Sequence, residues 1–178
     1  MSQLRLIDPA TASKPAADLL DAVRRNLGVV PNMTRAMANS PALLNGYLGL
    51  SGALNQGVLS PETRERIALT VAQANGCEYC LSAHSYLAEH VAHLDADDIA
   101  EARKAQAADP KTAAILALAA AVNEGRGAVR GEVLDAAREA GVDDAEIAET
   151  IGQVALNVLT NYFNKAIAVE IDFPHVRA

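Results

Sequence analysis

Aromatic residues are scarce in this chain of 178 residues: they make up 3% of it, and tryptophan is absent. Aromatic and β-branched runs, which favour strands, are correspondingly few. The hydrophobic fraction is 51%, and much of it is alanine and leucine, the strongest apolar helix formers. No stretch has a sustained period-two alternation of apolar and polar residues. The sequence therefore predicts an all-α fold without strands.

Basic clusters and long apolar segments are also missing. The net charge is −7, and the only adjacent basic pairs are Arg24-Arg25 and Arg103-Lys104. Without a basic stripe to displace counterions, we expect no nucleic-acid partner and no acidic-membrane partner. The longest apolar run, AAILALAAAV at 113–122, is too short to span a bilayer. The N-terminal MSQLRLIDPATASKP lacks the apolar stretch of a signal peptide, so the sequence predicts a cytoplasmic protein.

Cysteine is nearly absent as well. The only two cysteines lie in NGCEYCLSAH, residues 75–84, three positions apart and with a histidine four positions after the second. In a cytoplasmic protein, cysteines at this spacing are more often catalytic or metal-binding than a static disulfide. The stretch is therefore the candidate site, and the thiols are either a redox pair or metal ligands.

Helix starts are well marked. Ser40-Pro41, Ser60-Pro61 and Asp109-Pro110 each place a capping side chain before a proline that suits the first helical position. The predicted helices cover residues 16–27, 31–38, 41–56, 61–75, 78–92, 96–105, 110–123, 130–140 and 144–170. The length is enough for one domain with its own core. We therefore predict a single all-α domain over residues 1–178.

An internal repeat is predicted because the chain matches itself without gaps at a shift of 48 residues, 67–101 over 115–149. Asp95 and Asp143 are placed as N-caps in the two copies, each with an acid three residues later. The cysteines and the histidine have no counterparts in the second copy, which favours a site over a packing role. We predict N-terminal helices in 15–60, a thiol-bearing repeat in 61–105 and a second repeat without thiols in 110–170.

The spacing of Cys77, Cys80 and His84 predicts thiol chemistry. A helix over 78–92 places Cys77 at its N-terminal end, where backbone N–H groups and the helix dipole stabilise a thiolate. Cys80 and His84 are four positions apart and share one face, so the imidazole is able to take the thiol proton directly or through one water. The alternative is two small buried cysteines beside a core histidine.

Zinc is another alternative for the same residues. Cys77, Cys80 and His84 supply three ligands, whereas a structural zinc site needs four. At about 100° per residue, His90 and His93 lie on other faces of the helix. A zinc ion would therefore need a ligand from elsewhere in the chain, and we predict no metal.

A carboxylate is expected beside the histidine. The helix over 61–75 turns at Gly76, so it packs antiparallel to the next helix and brings Glu65 opposite His84. A partly buried Glu65 needs a partner and is able to orient the imidazole. Among possible supporting residues, Tyr79 is able to donate a hydrogen bond at the mouth of the site, Arg64 receives no chemical role and Asn75 is assigned to the turn. The polar NYFN, residues 161–164, is expected to cover the site or line a subunit contact.

The stretch RERIALTVAQANGCEYCLSAH, residues 64–84, resembles the alkylhydroperoxidase D branch of the carboxymuconolactone decarboxylase family, in particular its peroxidase-related members. LGVVPNMTRAMANSPALL at 27–44 and NYFNKA at 161–166 resemble them too. Well-studied relatives have a histidine immediately before the second cysteine, where this chain has Tyr79. The decarboxylases that give the family its name lack the thiol pair, so its presence argues against decarboxylation.

The resemblance implies an alkylhydroperoxidase D-like helical bundle that forms homo-oligomers, either trimers or hexamers. It also implies that a hydroperoxide oxidises Cys80 to a sulfenic acid and that Cys77 donates a proton and then forms the Cys77–Cys80 disulfide. His84 and Glu65 match the proton relay of the family. A dithiol donor, dihydrolipoyl or another thiol carrier, would restore the thiols, and no cofactor is implied. Two alternatives remain: a disulfide reductase that serves a separate peroxidase, and a zinc-binding or redox-sensing oligomer without peroxide turnover.

Overall fold

The structure, a computed structural model, describes residues 2–178, so Met1 of the predicted domain lies outside it. The described residues are helical without strands, and the all-α prediction is confirmed. The helices are α1 Lys14–Leu27, α2 Asn32–Met37, α3 Pro41–Leu54, α4 Pro61–Ala74, α5 Glu78–His90, α6 Ala96–Ala102, α7 Pro110–Glu124, α8 Gly131–Glu139 and α9 Asp144–Ala166. None of them is long and apolar enough to cross a membrane.

The predicted caps set the helix starts. Ser40, Ser60 and Asp109 each accept a hydrogen bond from the backbone N–H three residues later, with proline at the start of the helix. Asp95 does the same for α6, and Asp143 forms a full capping box with Glu146 at α9. These side chains satisfy N–H groups that have no partner within the helix.

Two helices end three or more residues earlier than predicted. The helix predicted to reach residue 170 ends at Ala166, and the one predicted to reach residue 105 ends at Ala102. In both cases the chain reverses through an alanine with positive φ, 48° at Ala168 and 56° at Ala105. The next N–H then bonds back five residues, from Val169 to the Asn164 carbonyl in the first case. This closing pattern satisfies the last carbonyls of a helix. Because alanine takes the place of the usual glycine here, no residue in the sequence marks these helix ends.

Helix α4 is at the centre of the bundle. It packs against α5, α6, α7 and α9, and its residues from Ile67 to Ala72 are all buried. A smaller apolar cluster joins α1, α2 and α3 around Leu20, Met37 and Leu44. The tail after α9 is bonded to α5 through Asp172, His175 and Val176. The predicted repeat of 61–105 in 110–170 and the predicted trimer or hexamer stay predictions from the sequence.

Candidate active site

The turn between α4 and α5 places Cys77 at the start of a helix. Gly76 has φ of 60°, a left-handed conformation that glycine adopts without strain, and the Cys77 N–H bonds back to the Ala72 carbonyl at 2.9 Å. Cys77 is therefore the N-cap residue of α5, and its Sγ accepts a hydrogen bond from the Cys80 N–H at 3.3 Å. A sulfur in this position receives a helix N–H that would otherwise have no partner.

Both cysteines are free thiols, and both are buried, with 1% and 2% of their surface exposed. Hydrogen bonding from the Cys80 thiol lowers the pKa of Cys77, and the Cys80 N–H and the nearby His84 lower it further against the effect of burial. The pKa of Cys80 is raised by its hydrogen bond to Cys77, by burial and by the negative charge of Cys77. These opposite directions favour negative charge on Cys77 over Cys80, whereas the sequence indicated reasons for a thiolate at either sulfur.

His84 and Glu65 meet as predicted. His84 Nδ1 lies 2.8 Å from Glu65 Oε2, and the two side chains are 23% and 21% exposed. Burial works against the imidazolium, but the charge and hydrogen bond of Glu65, together with the charge of Cys77, raise the pKa of His84 overall. Because Nδ1 is engaged with the carboxylate, the other ring nitrogen is free to exchange a proton.

The NYFN stretch of α9 covers the thiols, in line with one of its two predicted roles. The Asn164 Nδ2 donates to Cys80 Sγ and to Met33 Sδ, both at 3.3 Å. Asn161 accepts a hydrogen bond from Asn75 Nδ2 at 3.0 Å. The Asn164 hydrogen bond and the nearby Asn161 carboxamide both lower the pKa of Cys80, although the effects of Cys77 and burial outweigh them. These amides stabilise negative charge on the Cys80 sulfur.

The three possible supporting residues have structural contacts. The Tyr79 hydroxyl donates to Asp172 Oδ1 at 2.8 Å and accepts from the Met33 N–H, so it fixes the C-terminal tail to α5. Arg64 bonds the Leu59 carbonyl before α4. Asn75 ends α4, as predicted, and its amide also pairs with Asn123.

Tyr47 of α3 was missed by the sequence reasoning. Burial raises the pKa of Tyr47 to about 12, and the negative charges of Cys80 and Glu65 add to the shift, so the phenol lies within electrostatic range of the site. One signal was available: Tyr47 is one of only four tyrosines in the chain. Its position beside the thiols depends on how α3 packs on the bundle, which local spacing does not encode.

The zinc alternative requires a cluster of ligands. Among residues 2–178, no three histidine, cysteine, aspartate or glutamate side chains are arranged to hold a metal ion. His90 stacks on Tyr86, with ring centroids 4.2 Å apart, and bonds the Tyr86 carbonyl. His93 has φ of 56° in the turn after α5. Neither of these histidines joins the thiols.

Sequence comparison identifies relatives of the central part of the chain. Residues 41–124 match the model of the carboxymuconolactone decarboxylase family. An uncharacterised protein of Haemophilus influenzae is 48% identical over 46 residues, which cover 25% of this chain and 41% of that protein. The chain thus spans less than half the length of this curated relative.

Solved structures resemble the chain over nearly its whole length. An uncharacterised peroxidase-related protein of Ralstonia eutropha, described as an alkylhydroperoxidase AhpD core, has a TM-score of 0.84 at 24% identity and covers 96% of this chain and 92% of its own. A peroxidase-related protein of Silicibacter has a TM-score of 0.82 at 23% identity, with coverages of 95% and 91%. The debrominase Bmp8, as a cysteine-to-alanine variant with 2,3,4-tribromopyrrole, has a TM-score of 0.78 at 23% identity, with coverages of 97% and 94%.

These likenesses agree with the resemblance predicted from residues 64–84. At such identities the solved structures establish the fold, while the family model covers the segment that carries Glu65, both cysteines and His84. The chain therefore carries a carboxymuconolactone decarboxylase family segment at residues 41–124, within the fold of the alkylhydroperoxidase AhpD core.

Proposed function

We propose that the protein is a thiol-dependent peroxidase that reduces hydroperoxides through Cys77 and Cys80, with His84 and Glu65 as its proton relay. The observation that supports this most is the thiol pair itself. Two buried free cysteines are joined by a hydrogen bond from the Cys80 N–H to Cys77 Sγ, and the pKa of Cys77 is lowered by Cys80 and by His84, an imidazole that is hydrogen-bonded to a carboxylate. The family segment and the fold suggest an oxidoreductase of the peroxidase-related kind.

The first step is oxidation of Cys80. In the proposed starting state His84 has taken one of the two thiol protons, and the other proton is shared between the sulfurs. When that proton moves to Cys77, the Cys80 thiolate attacks the terminal oxygen of the hydroperoxide. The new S–O bond forms as the O–O bond breaks, and the departing alkoxide takes the proton from Cys77. The products are an alcohol and a Cys80 sulfenic acid.

The second step is disulfide formation. The Cys77 thiolate attacks the Cys80 sulfur, and the hydroxide that leaves takes the proton held by His84, giving water. Two thiols and one hydroperoxide thus become one disulfide, one alcohol and one water. A dithiol donor, dihydrolipoyl or another thiol carrier, then reduces the disulfide by exchange.

Burial of the thiols favours a small oxidant over a protein disulfide. Cys77 and Cys80 are 1% and 2% exposed, so a sulfur on a folded partner protein meets more steric hindrance in exchange than the sulfur of a small dithiol. A hydroperoxide brings only two oxygens to the sulfur. This difference supports direct peroxide reduction over the role of a disulfide reductase for a separate peroxidase.

The test compares three oxidants on the same reduced protein: a hydroperoxide, a small disulfide and 2,3,4-tribromopyrrole. Mass spectrometry of quenched samples follows the loss of the two thiols, and alcohol formation is measured alongside. We expect the hydroperoxide to react fastest and to yield one alcohol for each disulfide formed. Faster oxidation by the small disulfide would favour the reductase, and faster reaction with tribromopyrrole would favour dehalogenation.

Stoichiometric zinc in protein purified under reducing conditions would contradict thiol catalysis.

A further inference from the structure

Helix α9 presents a polar face to the protein interior. The spacing of its buried polar residues is three or four positions, or one position within the last turns, which places them on one side of the helix. All are at most 5% exposed. They are Thr150, Gln153, Asn157, Thr160, Asn161 and Asn164. An inward face normally carries apolar residues, because a buried polar group without a partner is destabilising.

Most of these groups bond within α9. The Thr150 and Thr160 hydroxyls donate to backbone carbonyls, and Asn157 Nδ2 donates to the Gln153 carbonyl at 2.9 Å. Such local bonds satisfy the groups without any further partner. Among residues 2–178, the polar atoms of α9 that are buried without a partner are Gln153 Nε2, Asn161 Nδ2 and Asn164 Oδ1.

Two of these three atoms lie beside Cys80. Asn164 directs its Nδ2 at the Cys80 and Met33 sulfurs, which leaves its Oδ1 as an acceptor without a donor. Asn161 uses its Oδ1 to accept from Asn75, which leaves its Nδ2 as a donor without an acceptor. Asn161 and Asn164 are one turn apart and 0% and 3% exposed. A free donor and a free acceptor thus stand on two carboxamides one turn apart, one of which is bonded to the sulfur, and each carboxamide is held in orientation by its other atom.

A buried donor or acceptor without a partner destabilises a protein. Two such atoms on one helical turn call for a small molecule that both donates and accepts hydrogen bonds. A hydroperoxide has this chemistry: its terminal O–H donates, and both of its oxygens accept. An alkyl halide or a plain disulfide has no donor to offer Asn164.

We propose that Asn161 and Asn164 form the hydroperoxide-binding subsite of the thiol pair. Asn164 Oδ1 accepts the terminal O–H, which directs that oxygen at Cys80 Sγ, while Asn161 Nδ2 donates to the second oxygen. When the S–O bond forms and the O–O bond breaks, the electron pair goes to the second oxygen, where the Asn161 amide stabilises the negative charge. Protonation by Cys77 completes the step. This inference rests on the proposed peroxidase function.

The principal test replaces Asn161 in two ways. Asn161→Asp keeps the shape of the side chain and an acceptor for Asn75 but loses the NH₂ donor, whereas Asn161→Leu also loses the Asn75 bond but adds no charge. Loss of the donor is the change that both share. Asn157→Leu is the matched control, because it alters a buried asparagine one turn earlier whose Nδ2 already has a partner.

The readouts are two rates on each variant: oxidation of the reduced protein by a hydroperoxide, and reduction of its disulfide by dihydrolipoamide. We expect both Asn161 variants to lose about 100-fold or more in the peroxide rate, as for removal of one oxyanion donor. The disulfide reduction rate should change no more than about twofold, because that step uses no peroxide oxygen. Asn157→Leu should leave both rates near those of the wild type.

The outcomes separate the two proposals. If the wild type does not react with hydroperoxide, the proposed function is wrong. If the wild type reacts and either folded Asn161 variant keeps a peroxide rate within twofold of it, the subsite is wrong. An equal loss in both rates would also overturn the subsite, since it would point to disruption of the thiols. Circular dichroism checks the fold, and Asn161→Asp decides alone if Asn161→Leu does not fold.

Discussion

The hairpin of α4 and α5 and the hairpin of α7 and α8 begin alike and diverge at their turns. α4 and α7 both start at a capped proline, and Asn75 and Asn123 follow near their ends, 48 residues apart. The two amides bond each other reciprocally, at 3.1 and 3.2 Å. After this shared contact, the first hairpin enters its second helix at residue 78 and the other at residue 131.

The second turn has no room for a thiol where the first has one. Gly125 stands at the position of Cys77, and a Cβ there would lie 2.2 Å from the Ala128 carbonyl oxygen. The longer loop folds back on itself through Arg126 and Gly127, both with positive φ. Ala128, at the position of Cys80, therefore lies in the loop before α8. The short turn with its left-handed Gly76 therefore places Cys77 at the start of a helix, whereas the longer second turn leaves the corresponding position in a loop.

The faces beyond the turns differ as well. Between α7 and α8 lies an open cleft of about 270 Å³, lined largely by alanines, with Glu132 at the position of His84. In the first hairpin, the space between α4 and α5 is bridged by the Glu65–His84 hydrogen bond. The proposed chemistry is therefore confined to the first hairpin, since the second has neither the thiols nor the carboxylate–imidazole pair.

The largest effect is expected from Cys80→Ser, set against Ala128→Ser in the other hairpin. Loss of the nucleophilic sulfur should lower peroxide turnover by at least about a thousandfold, because a neutral hydroxyl does not replace a thiolate. Ala128→Ser should leave turnover unchanged. Initial rates of alcohol formation measure both. Full activity of Cys80→Ser would refute the assigned role of Cys80.

Next in size is Glu65→Gln, with Glu132→Gln as its counterpart. Removing the carboxylate should lower the pKa of His84, since the charge of Glu65 raises it, and should reduce turnover by about 10- to 100-fold without loss of the fold. The imidazole pKa is followed by NMR titration and turnover by alcohol formation. An unchanged His84 pKa would show that the carboxylate does not act on the ring.

The sequence predicted the helices and the meeting of Glu65 with His84, because capping residues and the period of the helix act locally. It did not predict which sulfur carries the charge. That depends on the hydrogen bond between the thiols and on the burial of Cys80 under α9, 84 residues away in the chain. Tyr47 and the unpartnered amide atoms of α9 were missed for the same reason, because their burial and their position near the thiols depend on how the helices pack.

A smaller effect is expected when the turn is altered by Gly76→Ala. Gly76 has φ of 60°, and its added Cβ would meet nothing closer than Lys165 Nζ at 3.7 Å. The change is therefore one of backbone strain alone, and the free energy of unfolding should fall by about 1–2 kcal/mol. Gly131→Ala, at the start of α8 with no atom within 4 Å, should be neutral or stabilising. Urea denaturation measures both, and equal stabilities would argue against the strained turn.

The smallest effect concerns the pKa of Cys77. The charge of Lys165, whose Nζ also bonds the Asn75 carbonyl, contributes the least of the causes that lower this pKa. Lys165→Gln should therefore shift the thiolate titration, followed by ultraviolet absorbance, slightly upward. Lys104→Gln makes the same charge change on an exposed side chain near the end of α6 and should leave the titration unchanged.

The sign of the accompanying stability change follows from the lowered pKa. A thiol with a depressed folded-state pKa stabilises the protein above its unfolded pKa of about 8.5, and this contribution is lost as the pH falls through the folded value. Lys165→Gln should therefore lower the free energy of unfolding mainly at pH values above the folded-state pKa of Cys77. At low pH it should leave that free energy unchanged, because the thiol is protonated in both the folded and the unfolded state. A loss of equal size at every pH would instead assign Lys165 to holding the turn through Asn75, with no part in the charge of Cys77.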